Sequence, residues 1–181
     1  MWVQNNKVEL KLCNRTFANL SNLWDIGLSR SNIRTLPRDV FTDSNRLEYI
    51  YLSDNKIEEL DNLIFYGLNK LRELYLCGNR IKTLQPALFF GVPNLEKLCL
   101  SNNSLIISTT QNVFPPTDEY LINQLDEEFK TDGGPYSPFQ NLRHLKYLKL
   151  DNNSISVICT DWRTFPSLKR LELSHNNIPN L

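Results

Sequence analysis

Two histidines, four cysteines and twenty carboxylates are the side chains of this 181-residue chain with the means to do chemistry. Acid–base or nucleophilic catalysis needs a reactive group within hydrogen-bond reach of a partner. His144 and His175 stand in no metal or nucleophile motif; His175 adjoins Asn176 and should be solvated, and His144 precedes Leu145 in a loop. Cys13, Cys77, Cys99 and Cys159 have no CxxC spacing, which argues against zinc. No Gly-rich phosphate loop exists, and the acidic residues scatter as surface charge. The expectation is therefore no catalytic residue, no cofactor and no metal, with any function carried by a surface.

The elements that must hold that surface are repeats. LxxLxLxxNx(L/I) occurs six times, beginning at Leu23, Leu47, Leu71, Leu95, Leu145 and Leu168, with steps of 24, 24, 24, 50 and 23 residues. A fixed period of this kind specifies a solenoid. In the second unit, Ile50 and Leu52 alternate with Tyr49, Tyr51 and Ser53, which predicts a short strand with the two aliphatic residues inward. Asn55 ends the strand, and its buried amide should satisfy backbone groups of the turn and of the next coil. Asn79, Asn103, Asn153 and Asn176 repeat it; the first unit departs, with Ser31 at that place and Asn32 beside it.

The return half repeats as well. Leu36, Leu60 and Leu84 follow the strands, and Phe17, Phe41, Phe65, Phe89 and Phe139 recur before the next unit, with Trp162 in that place before Leu168. Stacked, these aromatics should form a convex spine. One unit cannot bury its apolar face alone, so neighbours must stack. The expected fold is an α/β solenoid: a horseshoe with a parallel concave β-sheet and an irregular convex side, one array over 1–181. The first coil, around Val8, Leu10 and Leu12, reaches Phe17 too soon for a whole unit, and the last stops at Leu181. With no cysteine-rich cap at either end, a piece of a longer protein is expected.

Formal net charge is zero, which implies no attraction to nucleic acid, and no apolar stretch approaches a membrane span. The opening MWVQNNKVEL lacks the apolar core of a secretory signal. Sequons at Asn14, Asn19, Asn102 and Asn152 give weak support for secretion. Cys77 and Cys99 should face outward on adjacent strands, offset by two residues; that places their Cα atoms roughly 8 Å apart, too far for a disulfide.

The fourth coil is doubled by an insertion over 108–138, punctuated by Pro115, Pro116, Gly133, Gly134, Pro135 and Pro138. Within it Thr117 could cap a short helix carrying Leu121, Leu125 and Phe129 on one face, with Asp126, Glu127 and Glu128 making it acidic. It is either a partner contact or a tolerated excursion.

The 24-residue period and the return Phe resemble extracellular leucine-rich repeat proteins. From Ser137 onward, SPFQNLRHLKYLKLDNNSISVICTDWRTFPSLKRLELSHNNI resembles a segment of insect Toll receptor ectodomains, where a long insertion precedes such a Pro-Phe and an Asp-Trp pair, here Asp161–Trp162, takes the spine place one coil later. That resemblance implies a single-pass receptor displayed outside the cell, a cystine-knot cytokine ligand of the Spätzle type, receptor dimerisation, and signalling in immunity or development. The alternative is a secreted or matrix repeat scaffold without a signalling role.

Binding is expected on the concave sheet. Tyr49, Tyr51 and Tyr75 should form one contiguous patch, since parallel strands lie roughly 4.8 Å apart; tyrosine is enriched at interfaces. Glu73 lies among them, and Lys97, Tyr147, Lys149, Arg170 and Glu172 make a second, charged patch. The same side chains could equally be the ordinary cover of an exposed sheet. Glycans on Asn102 and Asn152, at the strand ends, would block part of this face and favour a convex, lateral or insertion-mediated contact.

Overall fold

A computed structural model describes residues 1–85, 87–107, 138–139, 141–157 and 165–179. Most of the 108–138 insertion, its Thr117 helix and its Leu121, Leu125 and Phe129 face, and also Cys159, Asp161, Trp162 and Leu181, lie outside the described residues.

Alternation of large apolar with polar residues produces six three-residue strands: β1 (Asp25–Gly27), β2 (Tyr49–Tyr51), β3 (Glu73–Tyr75), β4 (Lys97–Cys99), β5 (Tyr147–Lys149) and β6 (Arg170–Glu172). They pair in chain order, all parallel, as one sheet. The register follows the repeat: Asp25, Tyr49, Glu73, Lys97, Tyr147 and Arg170 are successive partners. The 50-residue step does not interrupt it, because Lys146 and Tyr147 donate their N–H groups to the Glu96 carbonyl as Lys97 donates to Arg72.

The inward residues Ile26, Ile50, Leu74, Leu98 and Leu148 are at most 1% exposed, and Leu28, Leu52, Leu76, Leu100 and Leu150 are fully buried. Each such side chain contributes about 1.5–3 kcal/mol relative to remaining in water. At β6 the middle residue, Leu171, is 37% exposed, because no described strand covers that edge. The expected horseshoe sheet thus forms, and among the described residues its convex side is a series of turns with no helix.

On the convex side Phe17, Phe41, Phe65, Phe89 and Phe139 stack in chain order, with ring centroids 6.0–6.4 Å apart. All five are buried. Phe165 packs against Phe139 at 6.1 Å.

The asparagine ladder forms with one correction of direction. Asn55 Oδ1 accepts the N–H groups of Ser31 and Ile33, and its Nδ2 donates to the Leu28 and Leu52 carbonyls. Asn79 serves Ile57, Leu52 and Leu76 in the same way, and Asn103, Asn153 and Asn176 follow. Each amide therefore satisfies its own turn and the preceding coil, not the next one. The residue before each ladder position, from Arg30 and Asp54 to Asn152 and His175, has φ between 52° and 66°, and this left-handed step tips the next side chain inward. Ser31 does the ladder's work for the first unit: its hydroxyl donates to the Val3 carbonyl and accepts from Asn6 Nδ2.

The first coil also departs from expectation. Val8 is 76% exposed and takes no strand place. Residues 1–3 do instead: Gly27 donates its N–H to the Met1 carbonyl, Val3 donates to the Gly27 carbonyl, and Trp2 bridges to Gly27 in parallel. Residues 1–3 thus stand at the end of a strand place, 15 residues before the spine residue Phe17 when counted from Trp2. The signal was hidden because Trp2–Val3 lacks the leucine pattern.

Candidate functional site

Outward residues of the strands form the concave face, and the structure sorts the predicted ones into two halves. On β1–β3 the rings stack. Tyr51 and Tyr75 lie 5.0 Å apart and nearly parallel, and Trp2 extends the stack at 5.3 Å from Tyr51. Gly27 makes this possible, since a Cβ there would run into the Trp2 ring. Tyr49 does not join that column; it meets Trp24 edge-to-face at 5.9 Å. The tyrosine patch is therefore a larger aromatic surface, with Trp2 and Trp24 both 59% exposed at its margin. Sequence reasoning missed both tryptophans. A glycine at the outward centre of β1 was the available sign that something large covers it.

Glu73 joins this half to the ionic half. Its carboxylate accepts a hydrogen bond from the Tyr75 hydroxyl at 2.6 Å and one from Lys97 Nζ at 2.7 Å. Burial, and then the Glu73 carboxylate, push the Tyr75 phenol well above its ordinary value of 10.0. Tyr51 is raised by burial first and Glu73 second. The hydrogen bond to Glu73 raises Lys97. Tyr75 thus stays a neutral donor, and Lys97 stays a cation, at any physiological pH. Lys97 Nζ also sits 5.8 Å from the centre of the Tyr147 ring, within cation–π range. Beyond it, Glu172 faces Lys149 at 3.2 Å and Arg170 at 2.7 Å. Tyr147, Lys149 and Arg170 are exposed, and the other predicted residues are half-buried.

Between the halves lies a disulfide, Cys77–Cys99, with Cα atoms 5.4 Å apart. The expectation that this pair could not bridge is overturned. It assumed a full extended rise over two residues, but Cys77 stands beyond the end of β3, directly after Leu76, whose N–H donates to the Cys99 carbonyl. Gly78, with φ of +66°, then turns the chain away. Cys77, two residues past the register partner of Cys99, thus lies closer to it than two fully extended steps would place it. Cys99 therefore carries no thiol for nucleophilic chemistry, while Cys13 is free and exposed.

The four sequon asparagines, Asn14, Asn19, Asn102 and Asn152, are all exposed. His144 lies apart from the concave face, beside Lys70 and Glu96 in a polar hollow on the lateral edge, and His175 is solvated. A charge ladder runs along that edge: Arg72 reaches Glu48 and Glu96 at 3.5 and 4.0 Å, and Lys146 holds Glu96 at 2.7 Å. Lys146 holds the Glu96 carboxyl below its ordinary range. Among the described residues, no group of three or more His, Cys, Asp or Glu side chains could hold a metal. No helix among them is long and apolar enough to cross a membrane.

A sequence profile described as "Leucine rich repeat" matches residues 3–57, 45–105 and 135–178. Nothing matches among curated proteins. Among solved structures, the Leptospira interrogans protein LIC12759 is 25% identical with a TM-score of 0.71, over 98% of this chain and 38% of that one. TLR13, from a complex with the RNA ssRNA13, is 27% identical with a TM-score of 0.75, over 97% of this chain and 21% of that one. The leucine-rich repeat domain of APL1 is 24% identical with a TM-score of 0.73, over 99% of this chain and 41% of that one, a likeness of fold alone. The chain thus spans well under half the length of these proteins.

Proposed function

We propose a protein-recognition role from a plain premise: the chain belongs to the leucine-rich repeat family. Its concave face is a binding surface of a Toll-type receptor ectodomain, engaging a cystine-knot cytokine of the Spätzle type or contributing to receptor dimerisation. The observation that carries this reading is the open aromatic column Trp2–Tyr51–Tyr75 beside the ionic cluster around Glu73. Stacked rings that are only partly buried offer large, rigid contact area at small entropic cost.

Two further features support a place outside the cell. A disulfide between adjacent coils persists in oxidising compartments. The exposed asparagines Asn14, Asn19, Asn102 and Asn152 are open to glycosylation. Of these, Asn102 and Asn152 occupy equivalent left-handed positions on neighbouring coils, beyond the ends of β4 and β5. Glycans there border the ionic half and leave the aromatic half open. The likeness to TLR13 supports a receptor over a matrix scaffold.

The test is to secrete the chain from insect cells and measure its binding to immobilised Spätzle-type cytokine. Binding that weakens roughly tenfold in both Tyr51→Ala and Tyr75→Ala is expected, the loss of an interface anchor of about 1.4 kcal/mol or more. No binding, together with a transcript that closes downstream without a membrane span, turns the assignment to the secreted scaffold.

A further inference from the structure

The concave sheet carries long side chains at nearly every outward position, and the exception at its centre is Cys99. Its side chain is short and tied sideways to Cys77. The consequence is a hollow of about 230 Å³ over Leu98 and Cys99, walled by Tyr75, Tyr147, Lys149 and Arg170, with a mainly apolar lining. The rim is charged and uneven. Lys97, Lys149 and Arg170 face it with Glu172 as the one carboxylate in the lining, and Glu172 serves both Lys149 and Arg170.

We propose that this hollow is a socket for one aromatic side chain of a protein partner that bears a carboxylate beside the ring, the ring seated over Leu98 and Cys99 and the carboxylate on Lys149 and Arg170. This rests on the protein-recognition reading and makes it specific. A buried ring enclosed by a polar rim is the arrangement in which a few residues carry most of an interface's energy. The excess positive charge on the rim selects an acidic neighbour, because a charge-assisted hydrogen bond from Arg or Lys is about twice as strong as a neutral one. Lys97, anchored on Glu73 and lying over the Tyr147 ring, fixes the near wall. Cys99, tied to Cys77, lies in the lining of the socket between Tyr75 and Lys149.

Phenylacetate is a minimal probe, with benzyl alcohol as its uncharged counterpart. Each is titrated into the isotope-labelled full chain while amide resonances are followed. Saturable shifts at Leu98, Cys99 and Tyr147 are expected, with phenylacetate binding roughly tenfold more tightly than benzyl alcohol. Arg170→Glu should erase that preference and leave benzyl alcohol binding in place. That variant lies on the exposed edge strand and keeps the fold, which its unchanged amide spectrum away from β6 would verify. Shifts that never saturate, that centre on Trp2 and Tyr51, or that show no preference for the carboxylate overturn the socket. Its fate is separable from that of the cytokine reading: saturable phenylacetate binding with no cytokine capture leaves the socket standing without that ligand, and cytokine capture that ignores Arg170→Glu removes the socket alone.

Discussion

Two aromatic columns run through this molecule, one on each side of the same coils, and they have opposite fates. On the convex side the Phe17–Phe139 rings stack at 6.0–6.4 Å and are buried. On the concave side Trp2, Tyr51 and Tyr75 stack more closely, at 5.0–5.3 Å, and keep an edge in water. The spine arises from phenylalanine returning once per coil, whereas the concave column joins Tyr51 and its register partner Tyr75 to a Trp2 ring that lies over Gly27. What separates them is the side of the strand. The spine closes the core between coils, whereas the concave column projects from a sheet face that nothing among the described residues covers. Periodicity places a column; only burial says whether it holds the fold or meets a partner.

That contrast is open to direct attack. The largest effect is expected from Phe65→Ala, which should lower the unfolding free energy by about 3–5 kcal/mol, read as a shift in denaturation midpoint. Tyr75→Ala should cost about 1 kcal/mol or less, since the ring is half-buried and loses one stacking contact and one hydrogen bond. Equal costs for the two would erase the distinction between spine and binding column.

Next comes the paired change Cys77→Ser and Cys99→Ser, which opens a loop with a sequence separation of 22 residues. A loss of about 3 kcal/mol is expected, matched by reductant acting on the unaltered chain. A midpoint that ignores both treatments would mean that the concave side needs no tether.

The smallest effect is a pH dependence. The folded-state phenol of Tyr75 titrates above its unfolded value of 10.0, so the folded chain holds that proton longer. Its contribution is present in full below that value and is lost as pH rises from it through the folded-state value. Stability should therefore fall faster on the alkaline side in the unaltered chain than in Tyr75→Phe, with denaturation midpoints compared across that range. Parallel profiles would show that Tyr75 is not sheltered.

What could be read in advance depended on repetition. Asn55 and its four successors, the five-phenylalanine spine and the outward positions from Tyr49 to Glu172 each announce themselves several times, so one coil's logic transfers to the next. Features that occur once were harder. Trp2 takes a strand place without the leucine pattern, and only Gly27 hints at it. The disulfide turned on the difference between the observed 5.4 Å and the greater distance that full extension over two residues implies. Tyr49 pairs with Trp24 rather than with its own kind because a ring's packing depends on its neighbours' shapes, which spacing alone does not carry. The direction of the asparagine ladder was likewise invisible, since a period has no arrow.

That arrow has a consequence in time. The Ser31 and Ile33 amides wait for Asn55, Ile57 for Asn79, Ile81 for Asn103, and Leu105 for Asn153 across the insertion. A coil emerging during synthesis thus cannot close on its own residues, and is locked by the unit made after it. The array should consolidate from its first coil forward, always one repeat behind the growing end. The longest wait falls at Leu105, which must outlast the synthesis of the whole insertion before its partner exists.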